Sequence, residues 1–409
     1  MSREMRHSGI DWIGEIPKEW RVKRIKHSCK LFGRIGFRGY TADDLVNEGE
    51  GAITLSPSNM DGIKLDFSHC SYLSWDKYEE SPEIKVAVGD VLLVKTASVG
   101  KCAYVDNLPM ECTVNPQILV LKEHRDCSKF IAYIFQTPLG QAYIDVTKGG
   151  TTISTISQEK IGNYEFAFPP ISEQQKIANY LDKVCGEVDE MIALQEQMIE
   201  ELKAYKQSVI TEAVTKGLNP GVPMKDSGID WIGEVPEGWL ITKAKFFVTI
   251  GNGSDPKTEG DIPVYGSGSA SFKTCGEYKM GPTVLIGRKG ATLHIPHYIE
   301  GKYWNVDTAF DVKSKGNISL RYYYFLAICF DYKYYISQTT LPGMAQSSYN
   351  NMEIPVPPLE EQQTIASYLD TKCAEIDALI AIKQQKIDEL KDYKKSVIYE
   401  YVTGKKEVV

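Results

Sequence analysis

The sequence predicts an α+β protein built in two repeated halves, each a globular domain followed by a long helix. Three observations predict it. Ser8-Gly-Ile-Asp-Trp-Ile-Gly-Glu-Ile-Pro-Lys-Glu-Trp20 returns as Ser227-Gly-Ile-Asp-Trp-Ile-Gly-Glu-Val-Pro-Glu-Gly-Trp239, 219 positions later. Pro169-Pro-Ile-Ser-Glu-Gln-Gln-Lys-Ile-Ala-Asn-Tyr-Leu-Asp182 returns as Pro357-Pro-Leu-Glu-Glu-Gln-Gln-Thr-Ile-Ala-Ser-Tyr-Leu-Asp370, 188 positions later. Between them lie two inserts, 21–168 and 240–356, that differ in length by 31 residues and share little sequence. A duplicated frame with two unlike inserts implies one architecture presenting two recognition surfaces.

The divisions follow from the repeats: motif 1–20, insert 21–168, spacer 169–225, motif 226–239, insert 240–356 and spacer 357–409. Each half is long enough to bury its own core. After Pro170, Ile177, Leu181, Val184, Val188, Met191, Met198, Leu202, Tyr205 and Val209 follow heptad spacing among Glu, Lys and Gln, which predicts a long helix. Ser172 is placed as its N-cap, with Gln175 in capping-box position, and Gly217 before Pro220 ends it. The second copy keeps Ile365, Leu369, Ile376, Leu379, Leu390, Tyr393 and Val397. Lys383 and Lys386 break that seam, and Ile380 and Ile387 predict a change of register.

Helix one leaves the first domain and ends at the second, so helix two packs on it only by running back antiparallel. About 40 residues make a coiled-coil-like rod of roughly 60 Å that separates the domains, related by a pseudo-twofold axis.

In the inserts, β-branched runs at 86–88, 91–94 and 118–121, then 284–286 and 310–312, read as short strands, and 128–136 and 320–330 as short helices. Each insert is expected to be α+β.

Nine scattered cysteines, with no pair at metal-ligand spacing, read as reduced thiols of a cytoplasmic protein. No apolar run approaches a membrane span, and the first seven residues are too polar for a secretory signal. The net charge of −8 hides an uneven distribution. Residues 240–356 carry 12 Lys and Arg against 9 Asp and Glu, 21–168 carry 17 against 18, and the frame holds the remaining −10. That balance admits DNA binding by local basic clusters while the acidic frame meets another protein.

Five segments rich in small residues, each with a basic or an aromatic residue, contain no Asp or Glu. Gly33-Arg-Ile-Gly-Phe-Arg-Gly-Tyr40 and Lys148-Gly-Gly-Thr-Thr-Ile-Ser-Thr155 belong to the first insert. Tyr265-Gly-Ser-Gly-Ser-Ala-Ser-Phe-Lys273, Gly287-Arg-Lys-Gly-Ala-Thr292 and Gly343-Met-Ala-Gln-Ser-Ser-Tyr349 belong to the second. Glycines admit close backbone approach to phosphate, and Arg and Gln match guanine and adenine edges. The candidate DNA contacts are therefore Arg34, Arg38, Tyr40, Lys95, Lys148, Thr151 and Thr152, with Ser267, Lys273, Arg288, Lys289, Gln346 and Ser347 in the second insert.

Catalytic signatures are missing. There is no Gly-x-x-x-x-Gly-Lys-Ser/Thr loop. Gly266-Ser-Gly268 lacks the third glycine of a dinucleotide fingerprint, and the six histidines form no metal pair. Asp76 with Glu83-Ile-Lys85 is too closely spaced for a nuclease site.

The opening motif and the Pro-Pro-x-x-Glu-Gln-Gln-x-Ile-Ala-x-Tyr-Leu-Asp motif, in their duplicated order, resemble those of specificity subunits of type I restriction–modification systems. The resemblance covers the whole chain. It implies two target-recognition domains, at 21–168 and 240–356, that read the halves of a bipartite double-stranded DNA sequence while the helices set the gap. It also implies a non-catalytic chain that binds no cofactor of its own. Two methyltransferase subunits using S-adenosylmethionine, and motor-nuclease subunits using ATP and Mg²⁺, would be its partners. The shared motif transfers onto Glu173, Gln174 and Gln175 and onto Glu361, Gln362 and Gln363, expected at helix starts as structural and interface groups. The rival reading is a protein-scaffolding module whose inserts bind proteins instead of DNA.

Overall fold

The computed structural model describes residues 3–10, 13–34, 39–150, 153–268, 270–336 and 342–408. The chain divides into two compact units, 1–194 with 386–409, and 195–385. Both long helices cross this division.

In the first unit a hairpin, Met5–His7 with Glu15–Pro17, precedes the insert. The insert closes where strand Arg21–Arg24 pairs antiparallel with Glu165–Phe168, Arg21 opposite Phe168. Between them lie two four-stranded sheets. One is fully antiparallel, in the order Cys102–Tyr104, Val91–Val94, Ile118–Lys122, Lys30–Gly33. The other runs Cys112–Val114, Gly51–Leu55, Ser71–Ser74, Leu45–Val46, with its first pair parallel. Every residue of Val91–Val94 is buried, because both faces of that strand are covered.

The second unit repeats this plan. Hairpin Met224–Asp226 with Glu234–Pro236 precedes an insert closed by Leu240–Lys243 against Glu353–Val356, Leu240 opposite Val356. Its antiparallel sheet has the order His297–Ile299, Thr283–Gly287, Ala309–Ser314, Val248–Asn252, strand for strand that of the first. The second sheet again contains a parallel pair, Ile262–Tyr265 with Lys302–Asn305. The two inserts, unlike in sequence, share the strand order of the antiparallel sheet, whereas their second sheets differ: Leu45–Val46 pairs with Ser71–Ser74 in the first, and Lys279–Met280 with Lys302–Asn305 in the second.

Helices Ile171–Lys216 and Leu359–Val402 form the frame, 46 and 44 residues long. Within the first unit, Asp189 pairs with Lys394 at 2.6 Å and the Tyr180 and Tyr401 hydroxyls meet at 3.2 Å. The two helix segments are therefore antiparallel there. In the second unit Lys206 pairs with Asp377 at 2.7 Å, and Tyr368 shares a cleft with Val209 and Ala213. The antiparallel sense is the same.

Several expectations are corrected. The heptad seam does not hold along helix one, where Met191, Met198 and Tyr205 are exposed and Cys185 and Ile199 are buried. A straight helix advances 3.6 residues per turn, so its inner stripe drifts off a 3.5-residue repeat. In helix two the register change is present: Ile387 is buried, Ile380 half-buried, and Leu379 turned out. Ser172 is not the N-cap, because the Pro170 carbonyl already accepts Gln174 N–H at 3.0 Å and the helix begins at Ile171. Residues 86–88 form no strand. Val86 makes only an isolated bridge to Cys112, since Asp90 turns the chain by accepting Ala87 N–H. The short helix Ser128–Gln136 is as expected, whereas Leu320–Ile328 ends two residues early.

Candidate nucleic-acid interface

The Glu-Gln-Gln motif separates into three roles. Glu173 accepts the Trp20 indole N–H at 3.3 Å and pairs with Arg3 at 2.6 Å. Glu361 accepts the Trp239 indole at 3.1 Å. Each glutamate thus ties the opening motif of its half to the start of the long helix. That hydrogen-bonded pair raises the Arg3 guanidinium above its ordinary range. Gln174 and Gln362 are fully buried. Gln174 accepts Cys127 N–H at 2.9 Å and donates to Pro169 O at 2.9 Å. Gln362 accepts Ser319 N–H at 2.8 Å and donates to Pro357 O at 2.8 Å. Cys127 and Ser319 are the N-caps of the two short helices. The glutamine therefore supplies from outside the acceptor that a capping box takes from its own third residue. Gln175 and Gln363 are exposed.

The basic loops cluster at one end of the antiparallel sheet in each unit. In the second unit, Lys289 bridges Gly343, and Gly290 donates to Pro342 O at 2.9 Å. A Cβ on Gly290 would stand 2.9 Å from Ser267 Oγ, so all three sequence-predicted loops of this domain meet around 288–290. Lys273 is exposed beside the Phe272 ring, and Ser347 is exposed on the short helix Gln346–Asn351. Gln346 is turned inward and donates its amide to Ile250 O.

In the first unit, Thr96 bridges Thr155 and Gly149 pairs with Thr155, so the 148–155 loop meets the end of strand Val91–Val94. Lys95 lies at the same place, its Nζ 3.3 Å from where a Cβ on Gly33 would sit. Lys148 is exposed and pairs with Asp145 at 2.7 Å. Arg34 does not face solvent. It is 6% exposed, donates to Val114 O at 3.3 Å and Thr113 Oγ1 at 3.3 Å, and lies over the Tyr40 ring. Its burial lowers the guanidinium from its ordinary range. The Tyr40 hydroxyl is 3.4 Å from Thr54. Arg38, Thr151 and Thr152 lie outside the described residues.

Sequence reasoning missed Gln117, Thr308 and Ala97. The first two supply carbonyls that hold Lys95 and Arg288. Ala97 adopts a positive φ of 66°, and nothing in an alanine announces that.

The pattern of two such domains on a helical frame matches one known family. Residues 17–204 and 236–392 fit its profile, the type I restriction modification DNA specificity domain. The chain belongs to this family. A putative type I restriction enzyme MjaX specificity subunit from Methanocaldococcus jannaschii is 24% identical over 96% of this chain and 95% of its own. The EcoKI specificity subunit of Escherichia coli is 25% identical over 49% of this chain and 44% of its own. Among solved structures, a chain from work on complex assembly and conformational transition of the type I R-M system aligns with a TM-score of 0.72. That alignment has 17% identity and covers 95% of this chain and 98% of the other. The HsdS subunit from Thermoanaerobacter tengcongensis aligns with a TM-score of 0.52 at 17% identity, covering 95% and 98%. Specificity subunits recognise DNA and are not themselves enzymes, and this chain is one of them. No helix among the described residues is long and apolar enough to cross a membrane.

Proposed function

We propose that each domain of this specificity subunit reads one half of a bipartite duplex target with the loops at the end of its antiparallel sheet. The observation that carries this reading is the repetition of one loop cluster, basic in both cases, at the end of antiparallel sheets of the same strand order. The candidates that face this cluster are Lys95 and Lys148 in the first domain, and Ser267, Lys273, Arg288, Lys289 and Ser347 in the second. Arg34 and Gln346 support the loops from beneath.

The same reading gives the chain two methyltransferase subunits, one per copy of the frame. Gln175 and Gln363, exposed at the same position of the two copies of the frame, support that number. S-adenosylmethionine belongs to those subunits, and ATP with Mg²⁺ to the motor-nuclease subunits. Nine free cysteines support a reducing, cytoplasmic setting.

The test is selection from a random-sequence duplex pool by this chain assembled with its methyltransferase subunits, with native mass spectrometry of the complex. Two half-sites at a fixed gap and two methyltransferase subunits are expected. A single contiguous site, or one methyltransferase subunit, would overturn the two-copy reading.

A further inference from the structure

Two residues that align by no sequence motif occupy one structural position. Strand Val91–Val94 runs out into Lys95, Thr96 and Ala97. Lys95 N–H donates to Gln117 O at 2.7 Å, Lys95 O accepts Ile156 N–H at 2.9 Å, and Ala97 N–H donates to Ser154 O at 2.9 Å. Strand Thr283–Gly287 runs out into Arg288, Lys289 and Gly290. Arg288 N–H donates to Thr308 O at 2.8 Å, Arg288 O accepts Met344 N–H at 2.9 Å, and Gly290 N–H donates to Pro342 O at 2.9 Å.

The correspondence extends to the partners. Gln117 and Thr308 each stand one residue before the neighbouring strand, Ile118–Lys122 or Ala309–Ser314. Ile156 and Met344 each stand two residues before a short helix, Gln158–Gly162 or Gln346–Asn351. The third residue of each run has a positive φ, 66° at Ala97 and 113° at Gly290. Three backbone hydrogen bonds and one left-handed turn therefore hold Lys95 and Arg288 in the same clamp.

Their side chains share a setting as well. Both are half-buried, on the floor between loops, whereas Lys148, Lys289 and Lys273 stand exposed on the rim. The Lys95 ammonium has no hydrogen-bond or ion-pair partner among the described residues, and burial lowers it from the ordinary lysine range. Arg288 lies 5.7 Å over the Phe310 ring and gives one N–H to Asp307 O at 3.4 Å, leaving most of its donors unspent.

We propose that Lys95 and Arg288 are counterpart base-reading residues, one for each half of the target, and that the exposed lysines around them hold phosphate. Reading a base edge demands a donor fixed to within a fraction of an ångström, which a clamped backbone supplies and a free rim lysine does not. Lysine and arginine both match the guanine O6 and N7 acceptors in the major groove. The inference rests on the DNA-recognition reading above and assigns roles within it.

The experiment uses the full chain with its methyltransferase subunits and a random-sequence duplex pool, comparing Lys95→Ala, Arg288→Ala and Lys289→Ala with the parent. Lys95→Ala is expected to relax one position in one half-site, with discrimination falling by ~5- to 150-fold. Arg288→Ala does the same in the other half. Lys289→Ala keeps the preference and flattens the log–log salt dependence by about 0.9. Arg288→Lys, which keeps the charge, retains the same base position with weaker discrimination. Uniform weakening with a reduced salt slope would make Lys95 and Arg288 phosphate contacts and overturn the assignment. So would unchanged selection, or effects of both variants in one half-site. A parent that selects no sequence at all would instead sink the DNA-recognition reading on which the assignment rests.

Discussion

The side-chain carbonyl of Gln174 accepts the backbone N–H of Cys127 at 2.9 Å, joining the first turn of the long helix to the cap of a short one 47 residues earlier. Gln362 repeats the bond with Ser319 at 2.8 Å. Both glutamines are fully buried, so truncating either leaves a backbone N–H and a carbonyl without their side-chain partner.

Gln174→Ala is therefore expected to destabilise the first unit by about 1–3 kcal/mol, the usual cost of leaving a buried donor or acceptor unsatisfied. Gln362→Ala should cost a similar amount in the second. The two sites share no partners, so the double variant should lose the sum. Urea unfolding of the three variants checks this. A loss near zero, or strong non-additivity, would mean that the glutamines are not independent clamps.

Arg34 tests a different distinction. It sits in a glycine-rich basic loop that reads as a DNA contact, yet its guanidinium is turned into the sheet against Thr113 and Val114. Arg34→Met should lower folding stability by about 1.5–3 kcal/mol, the range for hydrogen bonds to a charged group. It should leave the salt dependence of DNA binding unchanged. Thermal melting and binding titrations at several salt concentrations separate the outcomes. A flattened salt slope with unaltered melting would place the side chain on DNA after all.

The contrast shows what the sequence made legible. The repeats suggest insert boundaries at 21, 168, 240 and 356; in the fold Arg21 pairs with Phe168 and Leu240 with Val356. Strands Val91–Val94, Ile118–Lys122 and Thr283–Gly287 were visible as short apolar, β-branched runs. The shared sheet order was not, because pairing is long-range and the buried face accepts many apolar combinations. Nor could the Glu-Gln-Gln motif announce its roles. Successive residues on a helix point about 100° apart, so the three could not act alike, but only packing decides which one is buried. Arg34 and Lys95 show the same limit. Composition marks a basic loop, and only the backbone decides which cation turns inward.

Exchange of residues 240–356 for the corresponding insert of another specificity subunit should change one half of the recognised sequence and leave the other intact. The Leu240–Val356 pair brings the two ends of the insert side by side, so a foreign domain meets the frame at one strand pair. The retained Gln362 clamp will still find the cap of the incoming short helix if that helix starts at the same place. Methylation mapping of host DNA carrying the parent or the chimera reads the outcome. A chimera that altered both halves, or neither, would count against independent reading by the two domains.

The final prediction concerns the places where the two long helices end. Gly217 has φ 73° and Gly404 has φ 72°. A Cβ on Gly217 would stand 3.1 Å from the Trp239 ring, and one on Gly404 3.1 Å from the Trp20 ring. Each helix thus stops on a left-handed glycine against the tryptophan of an opening motif. After Gly217 the chain passes directly into hairpin Met224–Asp226 with Glu234–Pro236. After Gly404, Lys405 donates to Glu15 O at 2.6 Å and Val408 packs against the first core, beside the matching hairpin. The second connection is thus nearly made without a covalent link. Joining Val409 to Met1 through a short linker and reopening the chain near Pro220 should give a soluble protein with the parent's DNA target, since Lys405 and Val408 already lie against the first hairpin and core. Selection from a random duplex pool and thermal melting check it. If several linker lengths all fail while the parent folds, the two helix ends are not interchangeable junctions.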